Sequence, residues 1–238
     1  MPTPLIYPIG TTDAIHYAAA VLAKSGIALI HHPSPEVTHL LLDIRPGCDP
    51  GETLRMLPPD TTVIGGNLNL HEHQVWDLLQ DAEYLAQNAA ITAHCAIKAA
   101  LPYLNTILPD TPTLILGWGR IGKCLASLLK GMHCPVTVAA RKASDRAMLR
   151  AMGYCAQDTG RLDLKDIQLV FNTVPELLLS QSQLAPYPGI VKIELASSPG
   201  MAGPDIVNAR GLPGILAPIS SGNLIAQTIL RRLKEERS

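Results

Sequence analysis

Apolar positions along this chain come in short runs, each followed by a turn and then by a stretch with helical spacing. Leu5 to Ile9, Ile27 to Ile30, Val37 to Ile44 and Thr62 to Ile64 read as strands. Ala14 to Lys24 reads as a helix closed by Gly26 and capped by Thr12 or Asp13, and Glu52 to Met56 as a brief one. The segment Pro46-Gly47-Cys48-Asp49-Pro50-Gly51 is a loop by composition. Ala82 to Ile107 is largely helical, with breaks expected near Asn88 and at Pro102 and a cap for Ile91 to Leu101 at Thr92 or its neighbours.

Further on, Thr113 to Leu116 is an apolar strand that passes through glycines into a helix, Lys123 to Lys130, stopped by Gly131. Pro135 to Ala140 is the next strand, followed by a helix from Ser144, its expected cap, to Met152. Gln168 to Phe171, Gly189 to Ala196 and Gly214 to Ala217 are three more strands. The last helix, Asn223 to Glu235, carries Leu224, Ile225, Ile229 and Leu233 at helical spacing, and a charged tail from Arg231 to Arg237 reads as a solvated face.

Strands alternating with helices predict parallel α/β layers. The expected division is a small flavodoxin-like α/β domain over 1–88 and a second parallel α/β domain over 89–219, with the helix of 220–238 packing back on the first. A long helix feeding a strand is a usual joint between a substrate domain and a cofactor domain, and clefts favour such interfaces.

The strand at Thr113 ends in Gly117-Trp118-Gly119-Arg120-Ile121-Gly122, a G-x-G-x-x-G between strand and helix. That is the setting of a Rossmann dinucleotide fingerprint. Gly117 allows the sharp turn, Gly119 lets the backbone approach a pyrophosphate, and Gly122 lets helix and strand pack closely. The pyrophosphate would sit at the N-terminus of the helix. An acid at the end of the next strand would bind the ribose 2′-OH of NAD; here Arg141 stands there, with Lys142 and Ser144 after it. A guanidinium grips a 2′-phosphate where a carboxylate repels it, so the expected cofactor is NADP(H).

Composition narrows the rest. Nearly half of the 238 residues are hydrophobic, and the formal net charge is −1, which leaves no footprint for nucleic acid or an anionic membrane surface. No apolar run is long enough to span a bilayer and Met1-Pro2-Thr3-Pro4 does not read as a signal peptide, so a cytoplasmic location is expected. Five cysteines without C-x-x-C spacing fit reduced thiols, and a single Phe means aliphatic cores.

His94 is the candidate acid/base, because an imidazole titrates near neutral pH; its plainer reading is a hydrogen-bonded structural histidine. Ser197, Ser198, Ser220 and Ser221 could hold a carboxylate, or simply serve turns. Lys192 and Glu194 read as an ion pair or an exposed strand edge. His31-His32 and His71-Glu72-His73 lack metal-site spacing, and metal binding is set aside.

Taken in order, several of these turns resemble the A-subunit family of dipicolinate synthases, which is related to the D-2-hydroxyacid dehydrogenase architecture. The carriers are Ala90 to Ile97, Leu116 to Gly122, Ala140-Arg141, Asn172-Thr173-Val174-Pro175, Glu194 to Gly200 and Gly211 to Gly214. The resemblance implies an NADP-dependent oxidoreductase of a spore-forming pathway, acting on a small dihydropyridine-like (di)carboxylic substrate. It places Asn172 to Pro175, Ala196 and Ser197 around the nicotinamide end of the cofactor, and it implies a second, flavoprotein-like partner chain. From the class, a homodimer is expected. His94 stands where the family has an acidic residue, and Ala217-Pro218-Ile219-Ser220-Ser221-Gly222 lacks the family's basic residue. The family's strand end D-L-A-S begins here with Glu194, and the glycine-rich turn of the first domain is reduced to Gly10-Thr11-Thr12-Asp13. These departures favour a rival reading, a non-catalytic NADP(H)-binding regulatory protein or a component that is active only with its partner. A plain 2-hydroxyacid dehydrogenase is disfavoured, because no His follows His133.

Overall fold

The computed structural model describes residues 3–45 and 48–236. Met1-Pro2, the Pro46-Gly47 portion of the expected loop and Arg237 of the expected tail lie outside the described residues. The chain divides into two compact units, 1–91 with 213–238, and 92–212.

In the first unit the order is β1 (Leu5–Pro8), α1 (Asp13–Lys24), β2 (Ala28–Leu29), β3 (His39–Leu41), α2 (Gly51–Arg55), β4 (Thr62–Gly65), β5 (Val75–Asp77) and the start of α3 (Ala82–Ala100). Among the described residues these strands form an all-parallel sheet of order β2-β1-β3-β4-β5, the flavodoxin-like order 2-1-3-4-5. Ile6, Leu41, Ile64 and Trp76 face α1 on one side, and Leu40 and Val63 pack against Val37 and Leu57 on the other. With both faces covered, the strands read as continuous apolar runs rather than as alternation.

The second unit continues through β6 (Thr113–Leu116), α4 (Arg120–Gly131), β7 (Val136–Ala139), α5 (Ala143–Ala151), β8 (Cys155–Gln157), β9 (Leu169–Asn172), α6 (Gln181–Leu184), β10 (Val191–Glu194) and β11 (Ile206–Asn208). Its parallel sheet runs β11-β10-β9-β6-β7-β8. Counted from β6 that is 3-2-1-4-5-6, the Rossmann order, which reverses between β6 and β9. Ile115 and Phe171 enter one core, with Leu125 and Leu129 of α4; Leu114, Leu116 and Val170 enter the other, with Leu179 and Leu184.

The chain then forms α7 (Leu212–Leu216) and α8 (Pro218–Glu235). Within the first unit α8 lies hard against α1: a Cβ on Gly222 would come within 2.5 Å of the Ala14 carbonyl and 2.6 Å of Tyr17 Cβ. Asp81 fastens the other end of α8. Its Oδ1 accepts the Glu83 and Tyr84 N–H groups that open α3, and its Oδ2 accepts from Arg231 at 2.6 Å and Arg232 at 2.9 Å. Burial pushes this carboxyl up, but the Tyr84 N–H and the two guanidinium groups outweigh it and hold it at about 2. On β3, His39 is buried against Trp76, with ring centroids 5.1 Å apart. Its Nδ1 meets the Thr38 hydroxyl at 2.8 Å and its Nε2 has no partner, so burial drives its pKa down to about 4.

Several local expectations are corrected. Gly214 to Ala217 is no strand: Gly211 turns the chain at φ +67° and Leu212–Leu216 coils into a short helix, with Pro213 tolerated in its first turn. The sheet edge belongs instead to β11, which the polar flanks of Ile206–Asn208 conceal. The short strands β5 and β8 likewise had no readable apolar run. Helix α3 does not break at Asn88, and Thr92 is a buried mid-helix residue rather than a cap. Lys142, not Ser144, occupies the N-cap of α5, without a side-chain cap bond. Lys192 and Glu194 are neither exposed nor at an edge: β10 is flanked by β9 and β11, and both are buried.

Candidate dinucleotide site

The β6–α4 turn sits at the carboxyl end of the sheet, where its strand order reverses, the place where open parallel sheets receive ligands. Gly117 has φ +104°, and a Cβ there would come within 2.5 Å of Thr173 Oγ1 and 2.6 Å of Val174 Cγ2. A Cβ on Gly122 would run into the Gly117 carbonyl. Both positions therefore demand glycine for internal reasons. Gly119 does not: nothing lies within 4 Å of where its Cβ would be. Its bareness leaves room for something outside the chain. Gly119 is also the N-cap of α4, with no side-chain cap and no acid in the first turn, so the helix offers its positive end to that space.

The equivalent turn of the first unit is arranged in the opposite way. There the Asp43 carboxylate lies at the N-terminus of α1 and accepts from the N–H and hydroxyl groups of both Thr11 and Thr12, at 2.6 to 3.2 Å. Thr12 is the N-cap by position, yet its hydroxyl serves Asp43 instead of the helix. Burial pushes the Asp43 carboxyl up, but these donors, Thr12 foremost, overcome that and hold it below the usual range. Of these two strand–turn–helix seats, the one on α1 is filled by the chain's own carboxylate.

Beside the β6–α4 turn the second unit forms an open groove of about 200 Å³, lined by Gly117, Trp118, Ala140, Arg141, Lys142 and Val174 among others; Gly119 itself is not part of this lining. Trp118 is half-buried, edge-on to Tyr154 at 6.0 Å. Arg120 is exposed and Ile121 packs against the core beneath. Arg141 and Lys142 are exposed on the β7–α5 turn, and Ser144 is exposed in the first turn of α5. That turn is held from below by a residue the sequence did not single out: Arg146 donates to the Ala140 and Arg141 carbonyls at 2.8 and 2.6 Å and pairs with Asp158 at 2.7 Å. An arginine in a short helix carries no sequence signal for this task.

On the other side of the switch point, the turn after β9 is tied to β6 by Thr173, whose N–H and hydroxyl both donate to the Leu116 carbonyl. Asn172 is fully buried; its Oδ1 accepts from the Val174 N–H and its Nδ2 donates to the Val174 carbonyl and to Glu194 Oε1. Glu194 also accepts the Ala196 N–H at 3.0 Å and the Gly200 N–H at 2.8 Å. Two turns are thus fixed by one buried carboxylate, leaving Pro175, Ser197 and Ser198 exposed at their tips and Ala196 buried beneath.

His94 is not brought into this groove's lining; it is exposed on α3. Ser220 is exposed in the first turn of α8 and Ser221 is buried there, so neither is a loop residue. Among the described residues no cluster of His, Cys, Asp or Glu could hold a metal ion, and no helix is long and apolar enough to cross a membrane.

A flavodoxin-like sheet, a Rossmann-ordered sheet and an open glycine turn at its switch point define a protein of the D-2-hydroxyacid dehydrogenase-like fold. More specifically, the chain is homologous to the dipicolinate synthase A-subunit of Bacillus subtilis (strain 168), with 30% identity over 159 residues. The matched segment spans 62% of this chain and only 54% of that relative. The crystal structure of the dipicolinate synthase A-subunit from Bacillus halodurans has the same fold, with a TM-score of 0.85 at 21% identity over 97% of this chain and 98% of that one. A D-isomer specific 2-hydroxyacid dehydrogenase from Lactobacillus delbrueckii ssp. bulgaricus, solved in its NAD-complexed form, is similar at a TM-score of 0.61 and 10% identity, over 98% of each chain. No family model matches the chain.

Proposed function

We propose that this chain binds NADP(H) along the β6–α4 turn and acts as an oxidoreductase on a small dihydropyridine-like carboxylic substrate, as its homology to one component of dipicolinate synthase suggests. The observation that carries the reading is Gly119, bare at the uncapped start of α4 while the matching seat on α1 is filled by Asp43. When bound, the nicotinamide would supply hydride chemistry. The chain's own part is positional. The free N–H groups of α4 receive the pyrophosphate, and Arg141, Lys142 and Ser144 receive a 2′-phosphate. Asn172 to Pro175, with Ala196 and Ser197, are the residues proposed to flank the nicotinamide end, held by Glu194. His94 is the residue proposed to carry the proton. Its exposure and the missing family acid favour the second reading, in which the chain binds NADP(H) but turns over only beside a partner, or not at all.

Thermal-shift titration with NADPH and NADH, on the wild type and Arg141→Ala, tests the cofactor reading. A ligand that binds only the folded state stabilises it by RT ln(1 + [L]/Kd), about 2.7 kcal/mol at a hundred times Kd. The expected result is a shift with NADPH that Arg141→Ala reduces. No shift with either dinucleotide at millimolar concentration would refute the reading.

A further inference from the structure

Arg141 and Lys142 give the β7–α5 side of the groove two positive charges. The structure brings two acids to the same lining, Asp145 of α5 and Glu176 of the turn after β9, so its ionisable side chains sum to zero charge, two bases against two acids. Glu176 is the informative one. It lies four residues beyond Asn172, on a different turn from Arg141, and its Oε1 stands 3.9 Å from Arg141 Nη1. Both side chains are well exposed, at 66% and 78%. An ion pair so exposed is weak, and Arg141 exchanges it readily for a better partner.

We propose that Glu176 is a specificity-determining residue for the dinucleotide, supplying from across the groove the carboxylate that a Rossmann fingerprint ordinarily carries at the end of its second strand. The inference rests on the cofactor reading above. In the free protein Glu176 pairs loosely with Arg141 beside the groove. With NADPH bound, Arg141 turns to the 2′-phosphate, which bears between one and two negative charges near neutral pH. Glu176 is then left beside a like charge. With NADH bound, the same carboxylate accepts a ribose hydroxyl, the part an acid plays in NAD-binding folds. Arg141 therefore favours one cofactor and Glu176 the other, and the native preference for NADPH is shallow. At a few ångströms in a largely aqueous setting, one opposing charge changes affinity by about fivefold to tenfold.

The test is equilibrium binding of NADPH and NADH, read by isothermal calorimetry on the wild type, Glu176→Gln, Arg141→Ala and the double variant; all the altered side chains are exposed, so folding is not at stake. Glu176→Gln is expected to tighten NADPH by about fivefold to tenfold and to weaken NADH by about twofold, with the NADPH gain shrinking as ionic strength rises. In the double variant the NADPH gain should differ from that in Glu176→Gln alone, because the two side chains interact. If wild type binds and Glu176→Gln leaves both affinities unchanged, or moves both alike, the role of Glu176 is refuted while the cofactor reading stands. If no dinucleotide binds any of the four proteins, the cofactor reading falls and this inference with it.

Discussion

The Asn172 side-chain amide donates to Glu194 Oε1 at 2.7 Å, and both residues are buried. The bond joins the ends of β9 and β10, whose Cα atoms are paired at these two positions. Each residue also orders the turn that follows it, Asn172 through Val174 and Glu194 through Ala196 and Gly200. The approach is close: a Cβ on Gly200 would collide with the Asn172 amide. Asparagine at one strand end and glutamate at the next are a single device that sets two loop tips relative to the sheet.

Glu194→Gln tests this device without changing its shape. Glutamine has one acceptor where three donors converge on two carboxylate oxygens, so at least one buried N–H loses its partner. The cost is expected to be about 2–4 kcal/mol, between an unmet hydrogen bond and a broken buried ionic one. Chemical denaturation should show a lower midpoint with an unchanged slope. A midpoint equal to that of the wild type would show that the carboxylate is not holding the turns.

The three glycines of the β6–α4 turn separate internal from external constraint. Gly122→Ala should destabilise the second unit by roughly 1–3 kcal/mol, since its methyl group meets a backbone carbonyl that cannot move aside. Gly119→Ala should cost no more than about 1 kcal/mol, the difference between a glycine and an alanine N-cap, because its extended backbone suits any residue and its methyl group meets nothing. Its dinucleotide binding should nevertheless fall at least tenfold in a direct titration, through the methyl group in the phosphate path. Equal losses of stability in both variants would mean that Gly119, too, serves the fold.

This contrast also shows what could be read from the residues alone. The apolar run Thr113 to Leu116, the glycines and the amphipathic helix are local signals, and the structure forms them where the pattern placed them. So is the β4 run, whose four residues are all buried. What stayed hidden is non-local. Arg146 becomes an anchor because α5 folds back over the end of β7. Glu176 meets Arg141 because β9 pairs with β6 across the switch point. Glu194 looked like a strand-edge charge until β11 was in place beside it. A three-residue strand has too few positions for its period to show, and its partners decide its fate.

Acid should weaken the first unit in two stages. His39 has a folded-state pKa of about 4, below its unfolded 6.5, so the unfolded chain binds the extra proton between those values. Stability is complete above pH 6.5 and falls by about 3 kcal/mol as the pH drops to 4. Asp81, at about 2 against an unfolded 3.8, contributes about 2 kcal/mol that is present above 3.8 and lost as the pH falls toward 2. His39→Leu should flatten the first stage and leave the second, as followed by midpoints of chemical denaturation from pH 7 to 2. A slope unaltered by the substitution would place the acid sensitivity elsewhere.

Asp43 at the start of α1 acts as a ligand tethered to its own receptor. Because the carboxylate is on the same chain as its four donors, its effective concentration there can exceed that of any metabolite by orders of magnitude. An external phosphate or carboxylate at millimolar concentration competes with it at a hopeless disadvantage. The Thr11 and Thr12 donors at the start of α1 are thus already spoken for by an anion of the chain itself, whereas the start of α4 carries no side-chain cap.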